Sequence, residues 1–306
     1  MPMTIASRWK AGAASDTGLL RARNEDRYWV DNERGIFLVA DGVGGHAAGE
    51  IAADTAVTVI RDCLSAASGP AEERVRDAIA RANNVIYDMA REHEHLSGMA
   101  CVLTLALVED QEMVIGHVGD SRLYLIWKGA IRKLTSDHSP VGECEDAGEL
   151  TEEEAMHHPR RNEVFRDVGS QPRQAGDTGF IEIRRCRLKP DAAFLICSDG
   201  LTDQLTSLQV REIVERYEGD PDRVVLELIH AANAAGGKDN TTALLVAGPR
   251  FRGHCDSDTS ELPAAVARAA AQLRTRSRFF TGRFAFLVYG VLLGMLVWAV
   301  WRGVRG

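Results

Sequence analysis

The sequence predicts an α+β fold of largely antiparallel sheets covered by helices, and three observations carry that expectation. Short apolar runs follow one another directly as hairpins, helical stretches arrive in pairs, and no regular strand–helix alternation runs along the chain. At 306 residues, with 45% hydrophobic and 26% charged content, the chain can bury one sizeable core or two modest ones. A formal net charge of −8 argues against nucleic acid as a partner, because a phosphate-backbone binder needs a basic face to displace counterions. The cysteines (Cys63, Cys101, Cys144, Cys186, Cys197 and Cys255) form no C-x-x-C pair, and several lie in apolar runs. A reducing compartment is therefore expected, and MPMTIASRWK at the start lacks the apolar run of a secretory signal.

Taken in order, AGAASDTGLL and DRYWV read as extended segments, and IFLVAD (36–41) reads as a buried strand ending on a carboxylate. Helices are predicted at 47–66 and 71–94, the second from apolar residues at Val75, Ile79, Ala82 and Ile86. CVLTLALV, EMVIGHVGD and RLYLIWKGAIRKL are the next strands, with Lys128-Gly129 turning the last of them into a hairpin. GFIEIRRCRL, AAFLICSDG and TTALLVAG complete the strands and enclose helices at 207–217 and 221–235. Asp220 is the expected N-cap of the latter, with Pro221 at its first position. Between Leu134 and Phe180 strand signals stop, apart from a helix at 151–157 announced by the capping box of Thr151 and Glu154. A stretch this long is expected to be a functional flap.

The folded domain is expected at 1–248, followed at 249–283 by a linker with a short helix. FAFLVYGVLLGMLVWAVW (284–301) then runs uncharged for 18 residues. As a helix it is about 27 Å long at ~1.5 Å per residue, close to the ~30 Å hydrocarbon core. Arg274, Arg276, Arg278 and Arg283 precede it and only Arg302 and Arg305 follow, so a single-pass tail anchor is expected with the folded domain on the cytoplasmic side.

One Asp-Gly after a strand has a bland explanation as a turn. The glycines after Asp41 also fit G-x-G-x-x-A, but a carboxylate against the pyrophosphate and no acidic residue at a following strand end contradict a dinucleotide site. The recurrence points elsewhere. FLVAD ends on Asp41, VIGHVGD on Asp120 and FLICSD on Asp199, while Asp239 opens TTALLVA. Asn24-Glu25-Asp26 adds two more carboxylates before RYWV. Carboxylates gathered at a sheet edge repel unless cations or protons neutralise them, and hard oxygen donors select Mg²⁺ or Mn²⁺. Two such metals would serve phosphoryl transfer, with Arg21 as the candidate fork for the phosphate oxygens.

The ordered set GLLRARNED, LVADGVGGHAAGE, GHVGDSRLY, LICSDGLTD and GGKDNTT resembles the bacterial metal-dependent serine/threonine protein phosphatases, type 2C or PPM, across about residues 11–247. The resemblance implies a four-layer αββα sandwich of two antiparallel sheets flanked by helix pairs. It implies that Asp41 bridges two catalytic metals, Mn²⁺ or Mg²⁺, and that the Gly42 carbonyl binds one of them. Asp199 and Asp239 would complete the other, Glu25 and Asp26 would act through waters, and Asp120 with Asp199 would hold a third metal. Arg21 would hold the substrate phosphate, while Asp203 and Asn240 stand at the family's spacing. The implied reaction is direct hydrolysis by a metal-bridging hydroxide, without a phosphoenzyme. Implied partners are phosphoproteins and a counterpart serine/threonine kinase.

The chain departs from the family at three places. Val43 stands where eukaryotic members have histidine, and His46 lies three residues on. Met99-Ala100-Cys101-Val102 replaces the usual Met-Gly-Thr-Thr, at positions expected in the core. RDVGS ends the flap unusually, while His138, His157 and His158 are expected as surface or flap residues rather than ligands. Two other functions are weighed: a two-metal phosphodiesterase, which would use the same acidic cluster but against which the acidic net charge counts, and a catalytically silent phosphoprotein-binding module at the membrane, which would require a lost metal ligand although Asp41, Asp199 and Asp239 are all present.

Overall fold

A computed structural model describes residues 9–44 and 48–253. Within them the strands are β1 (Lys10–Asp16), β2 (Arg27–Asp31), β3 (Ile36–Val43), β4 (Ala100–Glu109), β5 (Glu112–Val118), β6 (Arg122–Trp127), β7 (Ala130–Lys133), β8 (Glu182–Arg187), β9 (Ala192–Cys197) and β10 (Thr241–Ala247). They form two five-stranded antiparallel sheets, ordered β1-β10-β9-β6-β7 and β2-β3-β4-β5-β8. The helices are α1 (Ala48–Ala66), α2 (Ala71–Glu92), α3 (Pro140–Asp146), α4 (Glu152–Met156), α5 (Asp199–Thr202), α6 (Ser207–Val214) and α7 (Pro221–Ala235).

Strand periodicity divides the core into three layers. On β3, Ile36, Leu38 and Ala40 face α1 and α2, while Phe37 and Val39 face the other sheet. On β9 and β10, Ala193, Leu195, Ala243 and Leu245 pack with α6 and α7, while Phe194, Ile196, Leu244 and Val246 meet Phe37 and Val39 between the sheets. Burial on both faces makes these strands continuous apolar runs, and the result is the expected αββα order of layers. Phe37 and Phe194 meet edge to face at 5.5 Å at the centre of the sandwich.

Local signals hold where the chemistry was explicit. Lys128 and Gly129 take φ of 52° and 73°, the double left-handed turn that twists a tight hairpin correctly. Thr151 and Glu154 form their capping box, and Asp220 caps α7 through the backbone N–H of Asp222 at 3.0 Å. Other expectations need correction. β3 does not end on Asp41 but continues to Val43, because Asp41, Gly42 and Val43 pair with Val102, Cys101 and Ala100 of β4. α6 stops at Val214, where Arg216 and Tyr217 tighten into bonds to Ile213 and Val214. The helix predicted at 71–94 ends at Glu92 and a separate 3₁₀ turn follows at Glu94–Leu96. The core extends beyond Gly248 to the buried Phe251, which packs against Tyr217. His46, the part of the predicted 249–283 linker from residue 254 onward, and the predicted anchor, 284–301, lie outside the described residues. No described helix is long and apolar enough to cross a membrane.

Truncating Phe194 to alanine should open a cavity in the inter-sheet layer and cost ~3–5 kcal/mol. Chemical denaturation of wild type and Phe194→Ala measures that difference directly.

Candidate active site

The inter-sheet layer ends in acid. Asp41 continues the inward register of Phe37 and Val39, so the face that packs apolar side chains in mid-strand presents a carboxylate at the strand's end. A cleft of about 210 Å³ opens there, lined by Arg21, Glu25, Asp41, Gly42, Asp120, Asp199 and Asp239 among others. Asp199 follows β9 by two residues as the first residue of α5, and Asp239 precedes β10 by two. Asp26, just before β2, does not line the cleft; it lies behind it, 2% exposed.

Buttressing is specific. The backbone N–H of Asn240 donates to Asp239 Oδ1 at 2.8 Å, and its side-chain Oδ1 accepts from the N–H of Glu25 at 2.8 Å. Its Nδ2 donates to the carbonyls of Thr17 and Arg23 at 2.9 and 2.8 Å, so one buried amide pins the loop that carries Arg21 and Glu25. Gly42 is obligatory for a different reason: a Cβ there would lie 2.3 Å from the Gly49 carbonyl at the start of α1. Arg21 pairs with Asp239 Oδ2 at 2.6 Å while remaining half exposed.

The carboxylates oppose one another's ionisation. Burial holds Asp41 well above the usual carboxylate range, with Asp26, Asp199, Asp120 and Asp239 adding to it. Burial raises Asp120 to about 8 and Asp26 to about 7, in both cases with Asp199 contributing. Asp199 is raised by burial too, with Asp239 adding to it. A hard, oxygen-only donor set that resists ionisation in its own company fits divalent cations such as Mn²⁺ or Mg²⁺.

The flap supplies what motif reading missed. Arg161, 5% exposed in HPRRN, reaches Asp203 through Nε at 2.7 Å and Asp120 through Nη1 at 3.4 Å, bringing positive charge to the acidic cluster. Asn162 and Val164 join the cleft wall. The flap is tied down by buried Arg122, whose guanidinium bonds Asp137 Oδ2 at 2.6 Å and Glu145 at 2.7 Å, and by backbone pairing of Val168 with Cys101. Met99 to Val102 are buried as expected, although Val102 also lines the cleft.

His138 belongs to the flap, as expected, but its side chain is buried rather than at the surface. With His117 and Glu182 it forms a trio whose ligand atoms lie within 4.8 Å of one another. Its partners argue for a clamp. His138 Nδ1 accepts from the Gly119 N–H at 3.0 Å and Nε2 lies 3.1 Å from the Arg166 guanidinium, a fixed positive charge. His117 is engaged by Thr104 at 2.8 Å and the Ser136 carbonyl at 3.1 Å, and burial keeps both rings neutral.

Asp137 carries a pH prediction. Arg122 and Lys133 hold it at about 2 against the opposing effect of burial. That value lies below the ~3.9 of an unfolded carboxylate, so its stabilisation is complete above about pH 4 and disappears as pH falls through the folded value. Asp137→Asn should cost ~3–5 kcal/mol at neutral pH by leaving Arg122 short of a buried partner. The gap to wild type in denaturation midpoints should close between about pH 4 and pH 2.

Known proteins share this arrangement. The model of the family described as protein phosphatase 2C matches residues 21–225. The serine/threonine phosphatase stp of Listeria monocytogenes is 36% identical over 241 residues, covering 76% of this chain and 93% of that protein. PppA of Pseudomonas aeruginosa, described as a key regulatory component of T6SS, superposes with a TM-score of 0.69 at 32% identity, covering 78% of this chain and 97% of that one. The catalytic domain of the phosphatase PstP, solved with two manganese ions, gives a TM-score of 0.69 at 28% identity, covering 78% and 98%. With two thirds of its length matched by the family model and a 36% identical relative covered over 93% of its own length, the chain belongs to the protein phosphatase 2C family.

Proposed function

We propose that this protein hydrolyses phosphoserine and phosphothreonine in proteins, using Mn²⁺ or Mg²⁺ held by the carboxylates of the cleft. The observation that carries the proposal is the ring of carboxylates around a cleft sized for a phosphoryl group, with Asp41, Asp120 and Asp199 hindered from ionising by burial and by their neighbours. In this assignment Asp41 would serve both catalytic cations, with Asp199 and Asp239 helping to hold one and the Gly42 carbonyl the other. Glu25 and Asp26 would act through waters, and Asp120 with Asp199 would hold a third cation. Bound cations supply neutralisation of the phosphoryl oxygens and activation of water for in-line attack.

The chain's own residues do the rest. Arg21 offers its planar fork to two phosphate oxygens from the exposed rim, and Asn240 holds its loop in register. Asn162 and Val164 close one side of the cleft with the flap. A thiol nucleophile is disfavoured, since burial pushes Cys197 up to about 12 and raises Cys101 as well.

Residues 284–301 are proposed to anchor the enzyme in the cytoplasmic membrane with its domain in the cytoplasm, on the strength of their 18 uncharged residues and arginine-rich leading flank. A serine/threonine kinase would be its counterpart. The likeness to PppA supports a secretion assembly as the regulated system.

Phosphate release from a phosphothreonine peptide should require Mn²⁺ and fall at least ~100-fold in Asp41→Asn and Asp239→Asn, the loss of several kcal/mol of transition-state stabilisation. Activity without metal, or on bis-p-nitrophenyl phosphate but not the peptide, would overturn the assignment. Arg21→Lys keeps the charge but not the fork, so KM should rise by about tenfold with kcat less affected. Fractionation of cells expressing the full chain and a version lacking 279–306 tests the anchor: only the former should sediment with membranes.

A further inference from the structure

Behind the cleft, the apolar layer between the sheets ends in hydroxyls. Ser15, Ser198 and Thr242 continue, at a period of two, the inward positions of Ala11 and Ala13, Phe194 and Ile196, and Leu244 and Val246. Ser198 and Thr242 meet Asp26 from the opposite sheet. Thr242 Oγ1 and Ser198 Oγ each lie 2.7 Å from the same oxygen of Asp26, Oδ2. An ionised carboxylate only accepts, so both hydroxyl protons point at that oxygen. Ser15 Oγ then donates to Thr242 Oγ1 at 2.7 Å and accepts from Asn24 Nδ2 at 2.7 Å, giving a one-way chain of donors from Asn24 to Asp26. Ser198 Oγ is oriented in turn by the Thr242 N–H at 3.0 Å.

The other oxygen, Oδ1, is buried and has no hydrogen-bond partner among the described residues. Asp26 directly follows Glu25, which lines the cleft, so this unpartnered oxygen belongs to a buried carboxylate adjoining the cleft wall. A buried acceptor without a donor is costly unless something else engages it.

We propose that Ser198 and Thr242 are positioning residues for the phosphatase reaction: by committing both protons to Oδ2 they hold Asp26 in one rotamer and leave Oδ1 as its single donor toward the cation cluster. This rests on the metal-dependent function proposed above. Groups that orient metal-site carboxylates are commonly worth about 10- to 100-fold in metal affinity. Ser198 and Thr242 act through Asp26 and touch neither substrate nor the reacting atoms.

The test is Mn²⁺ binding to the full-length chain without substrate, followed by electron paramagnetic resonance of the free ion. Thr242→Val and Ser198→Ala should weaken binding by about 10- to 100-fold. Thr242→Ser and Ser198→Thr, which keep the hydroxyl, should bind as wild type. With peptide, the half-saturating Mn²⁺ of Thr242→Val should rise by the same factor while KM at saturating metal stays unchanged. Thermal melts without metal identify variants that have lost the fold, and the hydroxyl-retaining pair decides the matter if Thr242→Val is one of them. Wild-type affinity in Thr242→Val, or equal loss in Thr242→Ser and Thr242→Val, would overturn the role of the hydroxyls. Absence of Mn²⁺ binding by the wild type would overturn the metal-dependent function itself.

Discussion

Carboxylates gathered where an apolar layer ends repel one another, and much of the surrounding structure answers that constraint. Asp41, Asp26, Asp199 and Asp120 are all pushed toward protonation by burial and by each other. Leaving such charges near one another in a low dielectric is tolerable only if the positions are rigid and counter-charge is at hand. Rigidity comes from strands paired on both sides, with β3 carrying Asp41 between β2 and β4. Counter-charge within the chain comes from Arg21 on the rim and Arg161 from the flap.

The flap belongs to the site mechanically as well as electrostatically. Toward its far end the Val168–Cys101 pairing joins it to the strand beside Asp41, and in its middle Glu152 accepts from the Ser207 backbone and hydroxyl at 2.7 and 2.9 Å at the start of α6. Near its beginning, Arg122 binds Asp137 and Glu145 from the interior, and His138 clamps the Gly119 backbone beside Asp120. The segment is therefore a lid fastened at several points, with Asn162 and Val164 set against the cleft. Fastening of this kind keeps one wall of a catalytic cleft in register while allowing its loop composition to vary.

Division of labour within the site follows burial. Exposed Arg21 can reach an incoming phosphate, the half-buried carboxylates face the cleft, and Asp26 behind them is oriented by hydroxyls drawn from the other sheet. The polar chain from Asn24 to Asp26 thus crosses from one sheet to the other at the point where the sandwich would otherwise be dry. Directional networks of this sort fix the geometry of the groups they orient.

By itself the sequence determined the strands, the capped helices and the identity of the acidic residues, because those depend on local rules. Alternation and apolar runs marked the strands, the Thr151–Glu154 box and Asp220-Pro221 marked helix starts, and five ordered motifs marked Arg21, Glu25, Asp41, Gly42, Asp120, Asp199 and Asp239, which the fold brings to one cleft. Tertiary structure decided the rest. Pairing with β4, invisible in an Asp-Gly dipeptide, carried β3 on to Val43. Arg161, Arg122 and His138 carry no local signature, since their roles come from partners at least 15 residues away in sequence, as with Arg122 and Asp137. Asp26 was recognised as a carboxylate of the site, but its place behind the cleft, with Ser198 and Thr242 on one of its oxygens, exists only because two sheets stack with their inward registers aligned. Local chemistry names the residues, whereas contacts between distant segments set their distances, burial and charge state.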